Sequence, residues 1–280
     1  MIHLRLMVVA GVVAMTALAG ASPAPAQRID YSGSVQYASG DYLFPERSDA
    51  VFFYNGLGLT LGRVRLSASL PLVYQRTPWI VYSDATGTSG MDGASGMGQD
   101  VMGSDDPFGA VLVDTISFEE VGLGDPLVRA DLRLLDERGL VPSVRLTFDV
   151  KAPVGDVDRG FSSGQWDYAG GLSLTKSIGS TLLYGDIAYW YVGDMPDYEL
   201  ENSFAYGAGV GRSFGSGKFG LLASFFGNSR IQEGVDPPLQ VSLGLSYLLG
   251  LRRSLMISAS AGLTDSAPDV SLSFGWFLRF

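Results

Sequence analysis

From residue 27 to the C-terminus, apolar and polar side chains alternate with a period of two, as expected of strands with one apolar face. The last segment shows this cleanly: Val270, Leu272, Phe274, Trp276, Leu278 and Phe280 fall on one face, and Ser271, Ser273, Gly275 and Arg279 on the other. Only Phe277 breaks the second face. Leu239, Val241, Leu243, Leu245, Tyr247 and Leu249 repeat the arrangement opposite Gln240, Ser242, Gly244 and Ser246. The alternation predicts twelve strands, near 29–38, 50–61, 64–74, 125–135, 140–152, 165–176, 181–192, 201–213, 218–228, 239–249, 254–264 and 269–280. Short turns at 62–63, 136–139, 177–180, 214–217 and 250–253 separate longer loops at 39–49, 75–124, 153–164, 193–200, 229–238 and 265–268. An even strand count, with short turns at one rim and long loops at the other, is the arrangement of a closed bacterial outer-membrane barrel.

A soluble lipocalin-like barrel or sandwich would also alternate, but its polar face would be rich in Lys and Glu. Here that face is mostly Ser, Gly, Thr and Asn. Charged residues make up 17% of the 280, against about a quarter in soluble domains. Beyond residue 26 no charge-free run reaches the roughly 18 residues that a membrane-spanning helix needs. Any span must therefore be a strand, and the expected fold class is all-β: a transmembrane antiparallel β-barrel of about 12 strands over residues 27–280, with one long extracellular loop at 75–124.

Residues 1–26 read as a cleaved signal peptide. Arg5 precedes an apolar run from Leu6 to Leu18, and Ala24, Pro25 and Ala26 form an A-x-A pattern before Gln27; the run is too short for a membrane anchor. Its removal would leave 18 basic and 29 acidic side chains, a net charge of −11, and would take away His3, the only histidine. With no cysteine in the chain, thiolate chemistry and disulfides are excluded, and the acidity excludes nucleic acid as a partner. The surplus of acid falls mainly in the long loops, so the outer mouth would disfavour anionic solutes.

One hairpin concentrates charge. Gly139 ends the turn at 136–139, and pairing Asp136 with Leu140 across a three-residue loop sets Asp131 opposite Arg145 and Asp125 opposite Lys151. Arg129, Arg133 and Asp149 then lie diagonally on the same face. Facing lipid, each Arg or Lys would cost about 2–4 kcal/mol at mid-depth, so these side chains must face the lumen. Asp167 and Asp186, on neighbouring strands, are further candidates for the same wall. The cluster reads either as a constriction that selects what passes or as an ion-pair ladder that fills the interior.

Two resemblances add to this reading. Ser273, Gly275, Leu278 and the terminal Phe280 resemble the signal read by the outer-membrane barrel assembly machinery. The run Gly122-Leu123-Gly124-Asp125, with Phe148-Asp149-Val150-Lys151-Ala152-Pro153-Val154-Gly155-Asp156 and Gly164 beyond the turn, resembles the family named for the MetA pathway of phenol degradation. The resemblance implies an outer-membrane barrel that admits small hydrophobic or aromatic compounds. It supplies no binding residues. Pro126 departs from the pattern by removing an amide donor at the strand's outer end, which should disturb pairing there.

Loop 75–124 divides into a low-complexity half, from Ser83 to Asp106, and an apolar half, from Pro107 to Phe118. It reads either as a lid, with Trp79, Ile80 and Tyr82 at the interface, or as a surface loop. Asp92, Asp100, Asp105 and Asp106 lack the spacing of a calcium loop, and no metal or cofactor is expected. The expected function is passive uptake of small, neutral or cationic, hydrophobic or aromatic solutes across the bacterial outer membrane. The expected partners are outer-membrane lipid and lipopolysaccharide, the assembly machinery and the solute. A lipid-acting hydrolase is the second reading, and it would need a Ser with Lys or carboxylate because the mature chain has no His. A surface-structural or adhesive barrel is the third. An enzyme is not expected.

Overall fold

The computed structural model describes residues 27–41, 47–75, 120–157, 159–193, 200–231 and 235–280. The expected signal peptide and residues 76–119 of the long loop, with Trp79, Ile80, Tyr82 and the four aspartates from Asp92 to Asp106, lie outside the described residues. Among the described residues thirteen strands follow one another: β1 (Gln27–Gly40), β2 (Ser48–Leu61), β3 (Val64–Gln75), β4 (Glu120–Leu123), β5 (Leu127–Leu135), β6 (Ser143–Lys151), β7 (Asp167–Ile178), β8 (Thr181–Tyr191), β9 (Ser203–Phe214), β10 (Phe219–Asn228), β11 (Leu239–Gly250), β12 (Arg253–Gly262) and β13 (Val270–Arg279). Each pairs antiparallel with its neighbours, and β1 pairs with both β2 and β13, so the sheet closes on itself.

The closed ring has twelve staves, because β3 pairs with both β4 and β5: Leu72 to Gln75 face Leu123 to Glu120, and Val64 to Ser69 face Leu132 to Leu127. The expected fourth strand, 125–135, is thus the second half of a stave interrupted at Gly124, Asp125 and Pro126. Proline has no amide to give to a ladder, and the break falls where that donor is lost.

Side-chain alternation divides the barrel into two surfaces. Outward-facing Val128, Phe148, Leu174, Ile187, Leu243 and Phe274 are all exposed, as an apolar band against lipid requires. Aromatic pairs mark the two rims: Tyr189 with Phe204 and Tyr206 with Phe225 at the rim of the long loops, and Phe214 with Phe219 and Phe219 with Tyr247 at the rim of the short turns. The inward positions are buried and largely polar, among them Gln36, Ser67, Thr147, Ser173 and Ser271.

The register of β5 on β6 differs from that expected. Arg138 bridges Val141 through reciprocal backbone bonds of 3.1 and 2.9 Å, so the hairpin turns on Gly139 and Leu140, with Gly139 at φ 54°. A tight two-residue turn needs glycine at such a position. Together with a bulge between Arg133 and Leu135, this places Arg129 opposite Asp149, Asp131 opposite Thr147, Arg133 opposite Arg145 and Leu127 opposite Lys151. The slip is two residues. An even slip leaves every side chain on its expected face, whereas a slip of one would have turned the charges to lipid.

Candidate functional site

The inner wall is uneven in chemistry. From β9 to β12 the inward positions carry no ionisable side chain among the described residues and are dominated by Ser and Gly, such as Gly207, Gly209, Gly211, Ser242, Gly244 and Ser258. Around the other half run Asp30 on β1, Arg65 on β3, Arg129, Asp131 and Arg133 on β5, Arg145, Asp149 and Lys151 on β6, Asp167 on β7, Asp186 on β8 and Arg279 on β13. Long charged side chains on one side face short uncharged ones on the other.

Direct pairing organises the middle of the charged half. Arg129 donates from Nε to Asp149 Oδ1 at 2.6 Å and from its terminal nitrogen to Oδ2 at 3.2 Å, a two-pronged guanidinium–carboxylate contact. Asp131 lies directly across from Arg65 on β3 and from Thr147 on β6. Arg65 in turn reaches Asp30 at 3.7 Å, and Arg279 Nε donates to the same carboxylate at 3.1 Å. Gly58, between Asp30 and Ser67 in the ladder, leaves the space: a Cβ there would stand 3.1 Å from the Arg65 guanidinium. Asp186 lies opposite Ser173 and Gly207, and a Cβ on Gly207 would stand 3.1 Å from its carboxylate oxygens.

At the inner rim, Arg133 approaches Asp136 at 3.7 Å and Arg63 donates to it at 3.1 Å. Lys176 donates to Glu137 at 2.6 Å and to the Gly139 carbonyl at 2.7 Å, tying the β5–β6 turn to β7. The Lys176 hydrogen bond, aided by the Ser177 amide, holds the Glu137 carboxyl below its ordinary range.

A second cluster sits at the outer end. Lys151 is buried between two carboxylates, an ion pair with Asp167 and a 3.8 Å contact with Asp125, and it donates to Ser163 at 3.4 Å. Although Asp125 stands outside the ladder, it meets Lys151 as expected, because the Ala152 amide donates to the Pro126 carbonyl across the break. Asp125 then accepts from the amides of Val154 and Gly155, both at 2.9 Å, and from the Ser162 hydroxyl at 2.9 Å. Asp167 is fully buried and accepts from the Gly193 amide at 2.9 Å. One lysine therefore ties down the start of two outer connections.

The β6–β7 connection does not spread outward as a surface loop. Phe161, buried on this connection, clusters with Ala38, Ala50, Phe52, Tyr54 and Val73, which are all inward-facing residues of β1, β2 and β3. Gln75 donates to the Gly160 carbonyl at 3.5 Å. Gly122 is required beneath the ring, since a Cβ there would fall 2.3 Å from Phe161. Gly155 is pressed against backbone, its would-be Cβ 2.4 Å from the Phe161 carbonyl oxygen and 2.8 Å from that of Leu123. The glycines and the aspartate of the 122–125 and 152–156 runs thus form the seat of this connection.

The structure brings together all nine sequence-derived wall residues, in two groups: Arg129, Asp131, Arg133, Arg145, Asp149 and Asp186 towards the middle and inner end, and Asp125, Lys151 and Asp167 at the outer end. Asp30, Arg65 and Arg279 join them and were open to the same parity argument, since each is a charge on the polar face of an alternating strand. Phe161 carried no such signal. On β13, Ser273 and Gly275 point inward and Leu278 outward, while the exposed Phe280 donates its amide to the Ile29 carbonyl at 2.8 Å.

Among solved structures, the barrel is similar to an outer membrane channel from Pseudomonas putida F1, with a TM-score of 0.60 and 14% identity over 92% of this chain and 97% of that one. At that identity the likeness concerns the fold alone. Fainter likenesses, which bear on nothing further, are to the CymD monoaromatic hydrocarbon channel, with a TM-score of 0.49 and 10% identity over 92% of this chain and 89% of that one, and to outer membrane phospholipase A from Escherichia coli, at 0.43 and 15% over 89% and 90%. The profile of the family described as "Putative MetA-pathway of phenol degradation" matches residues 62–280, and the chain belongs to that family.

Proposed function

We propose that this protein is a passive channel of the bacterial outer membrane, admitting small neutral or cationic solutes of apolar or aromatic character. The observation that carries the reading is the unevenness of the lumen. Paired charges fill one half of the wall, and mostly short, uncharged side chains, chiefly Ser and Gly, line the other. A water-filled barrel interior with a charged flank conducts and discriminates by charge. The hydrolase reading gains nothing from the serine that meets a lysine. Ser163 receives a hydrogen bond from Lys151, and that ammonium is already engaged by the carboxylates of Asp125 and Asp167.

The proposal extends to export through the segment 1–26, to contact with outer-membrane lipid and lipopolysaccharide, and to assembly directed by Ser273, Gly275, Leu278 and Phe280. The test is single-channel recording in planar bilayers, with proteoliposome swelling for neutral solutes. The wild-type barrel should conduct. Arg145→Ala, which removes a buried inward cation, should shift ion selectivity towards cations while the folded barrel keeps its heat-modifiable migration. Permeation and selectivity unchanged by Arg145→Ala would make the charged half a filling ladder, and a wild-type barrel that passes neither ions nor swelling solutes would defeat the channel reading.

A further inference from the structure

We infer that the β6–β7 connection sets the aperture of the lumen at its outer end, with Phe161 as the size-determining residue and Asp125 with Lys151 as its latch; this rests on the channel reading above. Three independent features place the connection inside the barrel. The Phe161 ring is buried against Phe52, Tyr54 and Val73, whose side chains point into the lumen. The wall beneath it is bare at Gly122, where any side chain would collide with the ring. The root of the connection is fixed by Asp125, which collects the Val154 and Gly155 amides and the Ser162 hydroxyl while Lys151 balances its charge.

To reach that seat, the connection leaves β6 and β7, passes over β4 and packs on β1, β2 and β3. It therefore narrows the lumen from the flank opposite the Ser and Gly wall of β9–β12. A solute crossing at this level would run between mostly small side chains on one side and an aromatic surface on the other. Burial of the Phe161 side chain keeps such a segment seated in the resting state, and one substitution that removes the burial can release it. Permeation then scales with the free cross-section at this level.

Phe161→Ala and Gly122→Val test the assignment from both sides of the contact, the first by removing the ring and the second by filling its seat. Both should raise single-channel conductance by about twofold or more and admit larger neutral solutes in swelling assays. Both should also speed trypsin cleavage after the exposed Arg159, followed by fragment mass, a readout that does not depend on conduction. Heat-modifiable migration reports that each barrel is folded. If the wild type conducts while the two folded variants match it in conductance and in cleavage, the aperture assignment is overturned and the channel reading stands. If no form conducts, both readings fall.

Discussion

Lys151 shows what a buried charge does when its setting is complete. It lies between Asp125 and Asp167, all three buried, and its removal would leave two carboxylates uncompensated. Lys151→Met should therefore cost about 3–5 kcal/mol, read as a fall in the urea midpoint of barrel unfolding. Adding Asp125→Asn and Asp167→Asn should recover much of that loss, because no lone charge then remains. Glu137 behaves differently, since it lies at the inner rim in contact with water. Its carboxyl is held low by the Lys176 hydrogen bond, so the stability it contributes is present above the ordinary Glu value of about 4.3 and is lost as pH falls through its lower folded value. Glu137→Gln should lower stability modestly at neutral pH, where that contribution is present, and converge with the wild type in acid, where it is lost, so the acid limb of the stability profile flattens; thermal unfolding from neutral pH into acid would reveal this.

At the scale of elements, alternation was legible wherever one face meets lipid. The charged face of β5 and β6 followed from the cost of placing Arg in hydrocarbon, which is why the wall residues could be named without knowing the register. The register itself was not legible to better than two residues, because the turn centres on Gly139 and Leu140 and a bulge follows. Pro126 marked the break in the fourth stave correctly. The inward seat of Phe161 had no sequence signal, since a period of two describes strands and says nothing of where the chain between them goes. β13 carries a prediction of its own: deleting Phe280 should reduce insertion into the outer membrane, measured as the fraction of heat-modifiable protein in membrane extracts. Insertion undiminished by that deletion would separate the terminal residue from assembly.

For the whole molecule, the balance of charge sets what approaches. The chain is net −10, with its acidic surplus in the long loops rather than in the strands. Loops of that charge at the outer mouth would concentrate cations, so reversal potentials in a salt gradient should show cation preference at low ionic strength. That preference should fade towards about 1 M salt, where the screening length falls to about 3 Å. Closure has a further consequence, in time rather than in space. Asp30 and Arg279, which clasp the seam between β1 and β13, are 249 residues apart in the chain. The ring cannot shut until the last strand has been made, and a joint between the two ends of the sequence carries the largest entropic delay that this topology can impose. Until then both edge strands present unpaired backbone, so the half-built sheet is a species that must be kept from its own kind. A circular permutant opened at the Gly215–Lys218 turn would move that delay to another seam and leave the finished barrel unchanged.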